Sequence, residues 1–431
     1  MFVFMLIYLA LVIIRPQDYP AVVESPGPPM QSIALVLAGG LWLMSARKSF
    51  AAPQYLLIPA FLLVAMFSKV VNGWPGGALF VFFIFAPVLL AYILLANATH
   101  TRERMQVVMG VLAVCAAVLA VHGIDQANTG IGWTGVGMSQ GTRIQYVGIF
   151  NDPNDLGMLF IMCLPMALYL STRGGLLGFN RLFWWAVMAV LVWGCYLTNS
   201  RGTLLALVAV LGVYVWQKRG IVTAAVMGVV ALGGLMMLPS RMQEMDVSEA
   251  SAMGRVDSWY EGIQMFMGSP LFGIGAGGYS DLHELTAHNS FVLVLAETGI
   301  IGFTLWLAIV GYCFRMMLAI LKRNDAIIDD VPMDVSDEAA LKDWRTDRAM
   351  TLTLLMSLTG FFTAAFFLSR SYVVILYLLV ALVVAHYTRL QETYPSLPRF
   401  SLANDLIRWP IYAVIGVIGL YVTVKVLLAM A

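Results

Sequence analysis

Apolar residues run along this chain in thirteen stretches, near 1–14, 31–46, 54–71, 76–97, 105–124, 156–172, 182–198, 203–217, 221–238, 290–318, 349–368, 371–388 and 410–430. Most come close to the roughly 17–25 residues that a helix needs to cross a hydrocarbon core. The pattern predicts an all-α, polytopic integral membrane protein of about 12–14 transmembrane helices, the range reflecting a short first stretch and tight connections. The first stretch has no basic n-region and no A-x-A-like end, so no cleavable signal peptide is expected.

Basic residues between the stretches orient them. With the N-terminus inside, 17 of the 25 Lys and Arg fall on inner loops and inner helix ends, leaving eight outside: Arg15, Lys69, Arg143, Arg201, Arg241, Arg255, Arg370 and Lys425. That bias predicts a cytoplasmic N-terminus. The expected organisation is membrane helices over 1–124, an outer loop over 125–155, membrane helices over 156–238 and a large outer loop over 239–289. Further membrane helices fill 290–431, with an Asp-rich inner connector at 319–348. Outer loops of this length, bearing glycine and aromatic residues, are expected to be ordered and functional.

Composition agrees and narrows the classes. Sixty per cent of residues are apolar, 11% are charged, and mean hydropathy is +0.84, outside the soluble range. A net charge of +1 makes nucleic-acid binding unattractive. Cys115, Cys163, Cys195 and Cys313 all lie inside apolar stretches and read as packing residues.

Chemistry-bearing residues gather in the outer turns. From Gly254 to Met267, Val256, Trp259, Tyr260, Ile263 and Phe266 recur at helical spacing, and Gly268 with Pro270 ends the pattern. This predicts an amphipathic helix with Arg255 in its first turn, where the helix dipole disfavours a cation. A glycine cluster, Gly273 to Tyr279, follows; it lacks the Lys-Ser/Thr of a nucleotide loop. His288 then stands at the mouth of a membrane helix, suited to proton transfer, with His283 a rival. Thr198 to Gly202 forms a very short turn that places Arg201 where a cation must snorkel, pair or face a polar cavity. Gly148 to Asp155 combines Asp152, Pro153 and Asn154 as a turn and helix start, and clustered Asn/Asp could also bind sugar hydroxyls. Arg143 and Arg370 are further outer cations.

The order Phe-Asn-Asp-Pro-Asn (150–154), Thr-Asn-Ser-Arg-Gly (198–202), Gly-Arg-x-x-x-Trp with Pro-Leu-Phe-Gly-Ile-Gly (254–275), and His-Asn-Ser-x5-Ala-Glu-Thr-Gly (288–299) resembles the bacterial O-antigen ligase and polysaccharide polymerase superfamily. The resemblance covers about residues 145–315. It implies a GT-C-like glycosyltransferase of the bacterial inner membrane, using neither nucleotide sugar nor metal. Such enzymes move an oligo- or polysaccharide from undecaprenyl pyrophosphate to an acceptor hydroxyl on the periplasmic face, inverting the anomeric centre. The acceptor would be a glycan, lipid or protein, and contacts with other envelope-assembly proteins are implied. Carried over, Arg201 and Arg255 would hold the donor pyrophosphate and His288 would activate the acceptor. Arg143, Asp152, Asn154, His283 and Arg370 would support them.

No cofactor is expected. The outer face has no Asp-x-Asp or His/carboxylate ligand cluster, although Asp152, Asp155, Asp257 and Glu284 lie there. A lipid-linked oligosaccharide flippase or other transporter would share the span count, but should place charges near mid-membrane and often shows related halves. A purely structural assembly subunit would not need such outer loops.

Overall fold

A computed structural model of the chain describes residues 1–24, 27–173, 175, 178–236, 245–323 and 338–430. Arg241 and the Asp-rich part of the inner connector, 324–337, lie outside these residues. The described residues form α1 (Phe2–Ile14), α2 (Pro20–Val23), α3 (Met30–Leu43), α4 (Gln54–Val71), α5 (Pro75–Ala98) and α6 (Arg102–Thr129). After a non-helical loop come α7 (Pro153–Ser171), α8 (Phe179–Leu197), α9 (Arg201–Arg219), α10 (Ile221–Met236), α11 (Met245–Gly268) and α12 (Tyr279–Leu282). The chain ends in α13 (Ser290–Leu321), α14 (Glu338–Ala365), α15 (Val374–Thr393), α16 (Leu402–Asp405) and α17 (Arg408–Met430).

Each of the thirteen apolar stretches is a helix, because only a helix satisfies every backbone polar group within an apolar segment. Among the described residues, eight helices are long and apolar enough to cross a membrane; α3 and α10 are shorter apolar helices. The protein is therefore an all-α, polytopic membrane protein. α7, α13 and α15 form its buried centre, while α8, α10 and α17 expose apolar side chains outward.

Ion pairs lock one end of the bundle. Asp347 of α14, 1% exposed, accepts from Arg102 of α6 and Arg389 of α15. Arg47 pairs with Glu392 nearby, and Arg348 caps the end of α13 through the carbonyls of Leu321 and Arg323. These contacts tie α6, α13, α14 and α15 together, so this end reads as structural.

The other end holds the long loops. Residues 130–147 fold back as an ordered loop, with Gln126 donating to the carbonyls of Val136 and Gly137 and accepting from the Gln145 amide. α11 differs from the expected helix at 254–267. It begins at Met245 because Met, Glu and Ala between 245 and 253 are strong helix formers that Gly254 does not interrupt. Arg255 therefore sits in mid-helix rather than in the first turn, and the dipole argument against it falls away. The C-terminal stop at Gly268 stands as expected.

α13 is broken within the bundle. At Gly299 the backbone turns to φ +63° and ψ −166°, and the Pro270–Gly275 turn segment wedges into the break. Ile274 and Gly275 donate to the carbonyls of Ala296 and Glu297, and Ile300 donates to that of Pro270. A Cβ on Gly299 would lie 2.4 Å from the Leu271 carbonyl, and one on Gly273 would lie 2.4 Å from that of Ala296. Both are glycine for this close approach as well as for their positive φ.

Gly299→Ala is thus expected to cost about 1–3 kcal/mol through backbone strain alone, with overpacking added. A thermal melt in detergent would check this: an unchanged midpoint would contradict the wedge.

Candidate active site

Four polar turns meet at the looped end. The first is the start of α7, where Asp152 caps the helix by accepting from the Asn154 amide at 2.7 Å. Its carboxylate also accepts from the Asn154 side chain. The second joins α8 to α9, with Asn199 in the left-handed region (φ +53°) and Ser200 capping α9. Arg143 ties these turns together, donating to the carbonyl of Thr198 and to Oδ1 of Asn154, each at 3.0 Å.

The third turn enters α13. His288 adopts φ +45°, a strained conformation for a residue with a Cβ, and Asn289 caps the helix by accepting from Phe291 and Val292. The fourth is the 366–373 connection between α14 and α15. Ser290 clasps it: the Arg370 amide donates to Ser290 Oγ at 2.9 Å, and that hydroxyl donates to the Leu368 carbonyl at 2.6 Å. Ser371 donates back to the Ser290 carbonyl at 2.8 Å.

Arg370 then reaches the first turn through its side chain. Its guanidinium pairs with both carboxylate oxygens of Asp155, which is 1% exposed. Burial works against this guanidinium's charge, but Asp155 and then Asp152 outweigh it and hold its pKa above the ordinary range. A bidentate pair fixes orientation as well as charge. Phe367 beside it packs near Gly202, so the start of α9 borders the same connection.

Arg201 occupies the first position of α9 and is exposed. Among the described residues it makes no hydrogen bond or ion pair. A cation at the positive end of a helix dipole, with no side-chain partner among the described residues, forms an anion-attracting point. Arg255 comes from α11, half-buried, with Trp259 and Ile263 of the same helix packed on Tyr279 and Val292.

His288 senses the surrounding charges. Its pKa is lowered, first by burial, then by Arg255 and Arg370, while Asp152 opposes the shift. The imidazole is accordingly neutral near pH 7, able to accept a proton. The arrangement can hold a multiply charged anion beside a neutral base.

The sequence-predicted residues divide on this geometry. Arg143, Asp152, Asn154, Arg370 and His288 are joined by contacts or by field, and Arg255 shares that field. Arg201 lies next to the Thr198–Ser200 turn that Arg143 binds. The described hydrogen bonds of His283 stay within its own loop, to Leu285, and its ring packs on Tyr279. Asp155 and Ser290 were not singled out as site residues. A lone Ser-Arg-Ser between two apolar stretches was the signal that something acidic must meet Arg370. Lys69, one of the eight outer cations, is 5% exposed, with its ammonium 4.8 Å from the ring centre of Trp74. Among the described residues no three His, Cys, Asp or Glu side chains are grouped to hold a metal ion.

Directly below this end an open apolar cavity of about 590 Å³ lies between α9, α10, α13 and α14. Leu205, Val208, Phe362 and Phe366 line it, and Phe291 and Phe367 form its upper part beside the polar turns.

A family model described as O-antigen ligase matches residues 185–307. The matched span contains Arg201, Arg255 and His288; it excludes Asp152–Asp155 and Arg370. The likeness to the O-antigen ligase and polysaccharide polymerase superfamily thus rests on this match as well as on the motifs. No curated protein matches the chain.

A depressed folded-state pKa keeps His288 neutral to lower pH, so the ring is protonated only as pH falls through that value. The acid limb of turnover should therefore lie below the ordinary histidine value of about 6.5. Asp152→Asn keeps the cap but deletes the charge that raises the imidazole, and should move the limb further down. A pH profile of kcat/KM would check this; an upward shift would contradict it.

Proposed function

Proceeding from the O-antigen ligase family match, we propose that this chain is a membrane glycosyltransferase that moves an oligo- or polysaccharide from undecaprenyl pyrophosphate to an acceptor hydroxyl on the periplasmic face. The observation that carries this reading is an imidazole within the field of Arg255 and Arg370, at the start of a helix whose Phe291 lines an apolar cavity. A lipid pyrophosphate has those two parts: a multiply charged head and an apolar tail.

The head would sit against Arg201 and Arg255, with the positive end of α9 beneath it. Planar guanidinium groups match phosphate oxygens and stay charged in a water-poor site. The tail would lie in the cavity lined by Leu205, Val208, Phe291 and Phe362. His288 would take the proton of the acceptor hydroxyl as its oxygen bonds to the anomeric carbon. The bond from that carbon to the pyrophosphate breaks with its electron pair, and the two arginines stabilise the charge that collects there. A single displacement of this kind inverts the centre. Arg370, engaged by Asp155, and Arg143, engaged by Asn154, would hold the turns rather than the donor.

The cationic turns share one end of the bundle, which favours transfer chemistry at a membrane face over transport through the middle.

Three substitutions test the reading with purified protein and lipid-linked repeat units, supplied alone and then with a separate acceptor. Arg201→Ala and Arg255→Ala should each lower kcat/KM about 10²–10³-fold, and His288→Ala about 10²–10⁴-fold. Longer lipid-linked chains from donor alone would identify a polymerase, and product only with added acceptor a ligase. Full activity in all three variants would sink the assignment. Donor trapped on the inner leaflet in variant cells would point to a flippase instead.

A further inference from the structure

Tyr279 belongs to none of the groups assigned above, yet it is almost completely buried beneath the helix that carries Arg255. Its hydroxyl donates to the Ser258 carbonyl, one turn along α11 from that arginine. Ser258 is itself buried, and its own hydroxyl returns to the Gly254 carbonyl at 2.8 Å. α11 lies so close here that a Cβ on Gly262 would be 3.1 Å from the Tyr279 hydroxyl and 2.4 Å from Val292 Cγ1.

The backbone of Tyr279 is anchored in turn. Its amide donates to Oε1 of Glu297 at 3.3 Å, and Glu297 is 2% exposed on α13, two residues before the break at Gly299. The glycine turn leading into Tyr279 is pinned from below by α4, through Ser68 to the Ala276 amide and Asn72 to the Gly273 carbonyl. Burial also pushes the Tyr279 phenol up, so it remains a donor throughout the working pH range.

We propose that Tyr279, braced by Glu297, is a positioning residue that fixes Arg255 against the donor pyrophosphate. The inference rests on the assignment of Arg255 to that pyrophosphate. Its physical content is that one helix sets both ends of the reaction. His288 precedes the first turn of α13, and Glu297 lies nine residues further, roughly 13 Å along the axis. Arg255 is referenced to the same helix through the tyrosine, so the spacing between base and cation is held by a rigid element rather than by a free loop.

Tyr279→Phe removes one hydroxyl and keeps the ring packed. The expected result is a loss of about tenfold in kcat/KM for the lipid-linked donor, the scale of one lost hydrogen bond, with the melting midpoint little changed. Two readouts separate positioning from mere stability. Arg255 lowers the His288 pKa, so a displaced Arg255 should move the acid limb of the pH profile upward in Tyr279→Phe. The loss should also vanish when Tyr279→Phe is added to Arg255→Ala, because the two act through one group. Glu297→Gln retains an oxygen acceptor and should stay within about twofold of the parent, while Glu297→Leu should behave like Tyr279→Phe.

Parent-like rates and an unmoved limb in Tyr279→Phe would overturn the proposal, as would a full extra loss in the Arg255→Ala background. If Arg255→Ala alone had no effect, the pyrophosphate assignment itself would fail, which is a different outcome.

Discussion

The pairing of Arg370 with Asp155 is the constraint on which the looped end depends. Asp155 is 1% exposed, and its carboxylate left uncompensated there would cost several kcal/mol. The pair avoids that cost only while the 366–373 connection stays against the start of α7. The serine clasp at Ser290 holds the backbone of the same connection to α13. Three helices are thereby indexed to one another by polar contacts that tolerate little sliding, in a bundle whose remaining contacts are apolar and less directional.

Charge balance distinguishes the two ends. At the locked end, Asp347 answers Arg102 and Arg389, and Glu392 answers Arg47, so these arginines are engaged by the protein itself. At the looped end Arg370 is answered, but Arg201 is exposed on a helix N-terminus, and the field of Arg255 reaches His288. Around His288 the cations Arg255 and Arg370 face the single carboxylate of Asp152, and helix N-termini add positive potential. A local positive potential of this kind favours an anionic ligand and depresses the imidazole, keeping it unprotonated.

How much of this could be read from the chain depends on the range of the signal. Helices follow from local apolar runs, and all thirteen are present because an apolar segment in lipid has little alternative. The ends of α11 show the limit. Gly268 and Pro270 mark its stop, whereas its start lacks a breaker and slipped from 254 to 245. Arg201, Arg255 and His288 stood out because charged and titratable groups are rare in such sequences. Their supports did not. Asp155 stood only among four outer-face acids, and its partner is 215 residues away. Lys69 was one outer cation among eight, because burial under a glycine turn is a tertiary fact. The break at Gly299 was hidden within a continuous apolar stretch, since a wedge from Pro270–Gly275 leaves no mark on hydropathy.

That break gives α13 two special points along its length. At its start, the left-handed turn at His288 and the Asn289 cap set a half-buried imidazole at the helix entrance at a cost in backbone strain. Near the break, freed carbonyls at Ala296 and Glu297 receive the glycine segment that carries Tyr279. A straight helix would satisfy those carbonyls internally and could not hold the segment. The interruption is therefore the means by which an outside helix, α11, is docked onto a membrane helix. Strain at one end and a broken ladder near the other are features that stability alone would remove. Their joint presence on the helix that His288 precedes argues that α13 has been shaped by more than stability.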